Sequence, residues 1–165
     1  MAEILEQEIK VYRFLEGYGE MVLADIAAED AYKLICDGGV HPAWCIGHLA
    51  WVGNRVLLLC GAEAKIDTEA WRELFGGGSS PTHDPGAYPG WEELKDIWRQ
   101  GHKDVAAIVP TLTDEQLSQP NPNDRMREGL PTVGDFLSFV LTGHEAMHLS
   151  QLSTWRRVQG RPPLF

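Results

Sequence analysis

The residues best placed to do chemistry stand near the end of the chain, in GHEAMHLSQLSTWRR. His144 and His148 are four residues apart, one helical turn, so both imidazoles leave the same face of a helix. That face also carries Leu137, Val140, Leu141, Gln151, Leu152 and Trp155, so it is expected to point into a core. Two neutral imidazoles in an apolar core each need a partner for their polar nitrogens. One divalent cation serves both, since imidazole nitrogen suits Zn²⁺, Ni²⁺ or Fe²⁺.

The same stretch, HEAMH, satisfies the H-E-x-x-H pattern of zinc metalloproteases, in which Glu145 would be the general base. Those enzymes take a third ligand, His or Glu, from beyond the motif. Here LSQLSTWRRVQGRPPLF follows and holds no His, Asp or Glu, so the protease reading fails. Glu145 lies about 100° round the helix from His144, on a more polar side with Ser138, Thr142 and Arg156. It reads as a surface or outlying residue. A third ligand must then come from upstream. His48 is the leading candidate, in the middle of the apolar run AWCIGHLAWVGNRVLLLC. His102, which shares a stripe with Trp98 and Val105, is its rival as a ligand or a group supporting one, and otherwise reads as a packing residue. His41 at a helix start reads as a cap or loop residue, and His83 amid Gly and Pro as exposed. Cys45, three residues before His48, is a group that could support the site from behind. Cys36 and Cys60 read as small buried hydrophobes.

Four long helices account for these positions. Leu5, Ile9, Tyr12, Leu15, Val22 and Ile26 recur at spacings of three and four, predicting a helix from Ala2 to about Ala27. Gly17 and Gly19 weaken it and allow a bend. A second helix opens at His41-Pro42, proline suiting the first helical position, and ends at Gly61. Thr68 to Phe75 predicts a short helix, and GGGSSPTHDPGAYPG a loop able to cover one mouth of a site. A third helix runs from Trp91 to the stop at Pro110, and Thr113 to Ser118 predicts a small helical turn. A fourth helix starts at Thr132 with a capping box to Asp135 and ends near Gln159 before Gly160. Trp44, Trp51, Trp91 and Trp98 are expected in the core, with lining a pocket as the alternative. The fold class expected is all-α, one domain over residues 1–165. It is a four-helix bundle with a long crossover loop between the second and third helices.

Composition narrows the function classes. The chain has 165 residues and a formal net charge of −10, which repels a phosphate backbone and argues against nucleic-acid binding. No apolar run of about 18 residues predicts a membrane span. The opening MAEILEQEIK is acidic and amphipathic, unlike a secretory signal, and three cysteines without a CxxC pair suggest reduced thiols. A cytoplasmic location is therefore expected.

The stretches HPAWCIGHLAWV, YPGWEEL, TVGDFLSFVLTGHEAMHLSQLSTWRR and the terminal GRPPLF together resemble the DinB-like (DinB/YfiT) superfamily of bacterial metal-binding four-helix bundles. The resemblance covers most of the chain and is specific in the second and fourth helices. It implies a metal held by one His of the second helix and an H-x3-H pair of the fourth, hence by His48, His144 and His148. It further implies a homodimer, a small-molecule substrate, and activities such as thiol-dependent S-transfer, thiol-dependent isomerisation or hydrolysis. The expectation is a metal-dependent enzyme that activates a low-molecular-weight thiol or water on a zinc, nickel or iron centre. The alternatives are a non-catalytic metal-binding or interaction protein, and a plain structural bundle.

Overall fold

The computed structural model describes residues 2–164, with side chains from Leu5 onward. Phe165, the last residue of the terminal motif, lies outside them. Helix α1 spans Ala2–Leu23, α2 Pro42–Leu59, α3 Thr68–Phe75 and α4 Trp91–Ile108. A four-residue α5, Asp114–Leu117, follows. The fourth long helix is composite: α6 Val133–Phe139, a π turn Val140–His144, and α7 Glu145–Val158. No strand forms among the described residues.

Two apolar clusters show how the helices run. Leu5 and Ile9 from the start of α1 pack with Leu57 near the end of α2, Val105 at the end of α4 and Leu137 of α6. At the other end Val22 of α1 packs with Trp44 of α2, Trp91 and Leu94 of α4, and Leu152 and Trp155 of α7. So α1 and the fourth helix point one way, and α2 and α4 the other. α2 lies against both α4 and α7, and α1 packs against the same two helices. Because α2 and α4 run in the same direction, the chain between them must return along the bundle. This is the crossover expected from the sequence. α3 is its one α-helix and packs on α2, and a 3-10 turn at Pro85–Ala87 lies in the stretch expected to be loop.

Close approaches explain two glycines. A Cβ on Gly47 would stand 2.1 Å from Phe75 Cε1, so α3 can lie on α2 only where that carbon is missing. A Cβ on Gly19 would stand 2.6 Å from the indole of Trp98. α1 runs unbroken through Gly17 and Gly19 rather than bending, and Gly19 serves packing instead. α1 also stops four residues earlier than its apolar period suggests, yet Ile26 remains buried in the turn that follows.

The fourth helix departs further from its period. Thr142 Oγ1 donates to the Ser138 carbonyl at 2.6 Å, competing for the acceptor that an α-helical N–H would use, and the turn widens to π geometry there. The side expected to face solvent is buried at Glu145 and Arg156 and half-buried at Ser138 and Thr142, because its polar groups find partners. Ser138 donates to Glu8, and Arg156, 2% exposed, pairs with Asp25 through two guanidinium nitrogens. Periodicity counts polar residues as outward, whereas a hydrogen-bonded polar side chain can be buried. Cys36 is another correction: it is exposed, in the turn ahead of α2, while Cys60 is half-buried.

The start of α2 carries a pH dependence. His41 caps the helix, its Nδ1 accepting the Trp44 N–H at 3.0 Å, and it is fully buried. Burial pushes its pKa down to about 4. The unfolded chain, with an ordinary imidazole near 6.5, therefore binds the proton first as pH falls. Its contribution to stability is complete above about pH 6.5 and is lost as pH falls toward 4. His41→Asn, which keeps an acceptor at the cap, is expected to flatten the fall of the thermal midpoint between pH 7 and pH 4.5 relative to the parent. Parallel curves would overturn this assignment.

Candidate metal centre

α2 and the fourth helix bring His48, His144 and His148 together. One nitrogen of each lies within 4.8 Å of the others. Nε2 of His48 stands 3.1 Å from Nε2 of His144, and the His48 and His148 rings are 4.5 Å apart between centroids. Two nitrogens each about 2.05 Å from one ion at a tetrahedral angle are separated by about 3.3 Å, so the spacing suits a shared cation.

The surroundings set which nitrogens are open. His48 Nδ1–H donates to the Phe75 carbonyl at 2.6 Å, leaving the Nε2 lone pair free. His148 Nδ1–H donates to Gln151 Oε1 at 2.8 Å, with the same result at its Nε2. Such bonds orient a ligating imidazole and select its tautomer. His144 Nδ1 is buried with no partner among the described residues. Burial first, then the neighbouring His148, pushes His48 down to about 4. Burial and the other two imidazoles push His144 to about 3, and burial lowers His148. All three are neutral at pH 7, the form in which imidazole binds a metal. Lone pairs facing one another in a buried pocket repel unless something electrophilic joins them. The residues present therefore fit a divalent cation.

The other sequence candidates fall elsewhere. His102 is buried on the far side of the fourth helix, stacked on Tyr12 with centroids 3.9 Å apart. Its Nε2 donates to Glu145 at 2.9 Å. Glu145 is not a surface residue: it is 3% exposed and also accepts the Trp98 indole N–H at 3.2 Å. Held by these two donors on α4, it is in no position to act as a base beside the histidines. Cys45 is buried and its thiol points at Gln151, 3.7 Å away. Burial raises its pKa, so it supports the site as a neutral donor and offers no thiolate. His83 is exposed, as expected.

Sequence reasoning missed two contributors, the Phe75 carbonyl and Gln151. The Phe75 carbonyl is backbone, and no residue type marks it. Gln151, one turn beyond His148 on the apolar face, had a visible cue: a lone amide among apolar neighbours needs a partner. Trp44 and Trp51 are core residues as expected, but they also flank His48. Trp44 stacks on it at 5.0 Å and 12°, and its indole N–H donates to Ser79 Oγ at 2.8 Å. That bond ties the loop after α3 to the site.

His48 and His144 open on a cleft of about 710 Å³. Its walls come from α2, from the end of α3 with the segment to Ser79, from residues 122–126, and from Phe136, Phe139 and Val140. The size is that of small-molecule sites. Cleft, loop and histidines form one continuous feature.

Residues 20–152 match the sequence profile of the DinB superfamily. The fold is similar to a solved structure described as "YfiT from Bacillus subtilis is a probable metal-dependent hydrolase with an unusual four-helix bundle topology". The two share 20% identity and a TM-score of 0.65, over 95% of this chain and 88% of that one. No curated protein matches the sequence. No helix among the described residues is long and apolar enough to cross a membrane.

Two substitutions test the supports of the site. Gln151→Leu is expected to weaken divalent-metal affinity by about 10–100-fold with helix content unchanged, as loss of a ligand's hydrogen-bond partner does. Equal affinity in titration calorimetry would remove Gln151 from the site. Gly47→Ala is expected to push Phe75 and its carbonyl off His48, lowering both metal affinity and the thermal midpoint. A midpoint within about 1 °C of the parent would show that the contact yields freely.

Proposed function

We propose that this chain, which belongs to the DinB superfamily, is a metal-dependent enzyme holding one divalent ion on His48, His144 and His148. The observation that carries the reading is the convergence of three neutral imidazoles at the end of a cleft, with no fourth His, Cys, Asp or Glu in the group among the described residues. Three protein ligands and an open position are the pattern of catalytic rather than structural zinc sites. Zinc is the first choice of ion, with nickel or iron as alternatives for an all-imidazole set. A divalent ion in such a site lowers the pKa of bound water toward about 7 and holds a bound thiol as thiolate.

The chain's own residues limit the chemistry. Of the three cysteines, Cys45 is a buried neutral thiol, and neither Cys36 nor Cys60 lines the cleft. Ser79, a cleft hydroxyl, is engaged by Trp44. The nucleophile is therefore brought from outside, as water or as a low-molecular-weight thiol. Hydrolysis and thiol S-transfer are the two matching reaction types, and the description of the Bacillus subtilis structure favours the first. The Phe75 carbonyl and Gln151 keep His48 and His148 aimed, while Trp44 and Phe139 pack beside the imidazoles and limit water around them.

Purified protein is expected to carry about one divalent ion per chain, and His148→Ala to lose it, by elemental analysis. Turnover in an ester panel or a thiol-plus-electrophile panel should disappear on chelation and return with metal. Absence of stoichiometric metal in the parent would sink the proposal. Bound metal without turnover in either panel would favour a non-catalytic metal-binding protein.

A further inference from the structure

The cleft beside the histidines is unusual in its charge. The chain carries a net charge of −10 with only 14 basic residues, yet Arg55, Arg72 and Arg125 all line this one cleft. They come from three separate segments: α2, α3 and the loop before α6. Of the acidic residues in the walls, Asp124 is paired with Arg127, which leaves Glu73 as the counter-charge. Among the described residues neither Arg55 nor Arg125 has a carboxylate partner, and Arg72 meets Glu69 only at 3.9 Å. Elsewhere Arg99 pairs with Glu20, Arg156 with Asp25, and Arg161 with Asp25 and Asp30.

These arginines sit on ordered supports. His48, Trp51, Val52 and Arg55 follow one another at i, i+3, i+4 and i+7 along α2, so a single stripe of the helix leads from the imidazoles to the guanidinium. Seven residues of α-helix span about 10.5 Å. The Arg55 guanidinium lies over the Trp51 ring, 5.0 Å from its centroid, which holds it along the cleft wall. Arg125 stands on a loop knotted around Asn121, a fully buried residue. Asn121 donates from its side chain to the Leu130 carbonyl and accepts the Asn123 N–H, while Arg127 binds its carbonyl.

We infer that the cleft takes a small organic acid about 10 Å long, its reactive end at His48 and His144 and its oxyanion group at Arg55 and Arg125. A guanidinium without a carboxylate partner presents two parallel N–H donors to a carboxylate or phosphate, and two such groups lining one cleft suit an anion. This rests on the proposed metal function for the reactive end only. Carboxylate and phosphate share the recognising chemistry, and the experiment separates them.

The test uses zinc-loaded full-length protein and two probes of equal length, 6-mercaptohexanoate and the neutral 6-mercaptohexan-1-ol, titrated calorimetrically. The acid is expected to bind about tenfold tighter, a ratio that shrinks with added salt and falls toward one in Arg55→Gln and Arg125→Gln. Binding of the alcohol reports on the metal alone. A ratio near one in the parent, or one that both variants retain, would overturn the anion site while leaving the metal reading standing. If neither thiol binds, the open metal position fails. The anion site is then decided by hexanoate and by inorganic phosphate titrated against the Nε–Hε resonances of Arg55 and Arg125. Saturable shifts of both uphold it and show which oxyanion is preferred; no shift with either overturns it.

Discussion

Three imidazoles largely withdrawn from water, His48 and His148 more than His144, cannot be packed together cheaply, and the site depends on how that constraint is met. Each ring has two nitrogens, and burial removes the water that would satisfy them. His48 and His148 spend Nδ1–H on Phe75 and Gln151, so both are forced to turn a lone pair toward the same point. His144 adds a third nitrogen 3.1 Å from that of His48. Neutrality, enforced by burial, then makes the cluster a ligand set rather than a cationic patch. The donor to His48 comes from α3, which lies in the crossover, so the unusual connection between α2 and α4 is part of the site and not only a route between helices.

The two sides of the fourth helix carry different polar work. One side presents His144 to the cleft and His148 to His48 behind it. The other buries Glu145 between His102 and Trp98, and Arg156 against Asp25. The π turn Val140–His144 contains the first of the fourth helix's two clustered histidines and follows the cleft-lining Phe139. Widened turns of this kind are frequent at functional sites, where a local gain in ligand placement offsets a poorer helix. Glu145 is adjacent in sequence to His144 but turned away from it toward α4, so the H-E-x-x-H pattern here keeps the paired histidines of a metalloprotease motif without its base.

Charge is distributed with equal selectivity. The chain as a whole is acidic, with a net charge of −10, while the cleft next to the histidines gathers three arginines from three segments. A small anion would meet an unfavourable long-range field and a favourable local one, which selects for a ligand that fits rather than for anions in general.

By itself the sequence determined the four helices, the crossover and the H-x3-H pair. Those rest on local physics: apolar periodicity, capping residues, Gly and Pro breaks, and the 100° step between residues of a helix. It determined His48 less directly. Burial of a mid-helix His was legible, but its meeting with His144 followed from family resemblance. Only the tertiary structure decided what each polar side chain bonds. Glu145 was placed outward because periodicity counts it polar, and it is inward because α4 supplies two donors. The same holds for His102, a rival ligand in the sequence that proves to be the partner of Glu145. Nothing in residue identity marks the Phe75 carbonyl, the π turn, or the arrival of Arg55, Arg72 and Arg125 at one cleft. Each depends on atoms far apart in the chain, and long-range proximity is what a local pattern cannot encode.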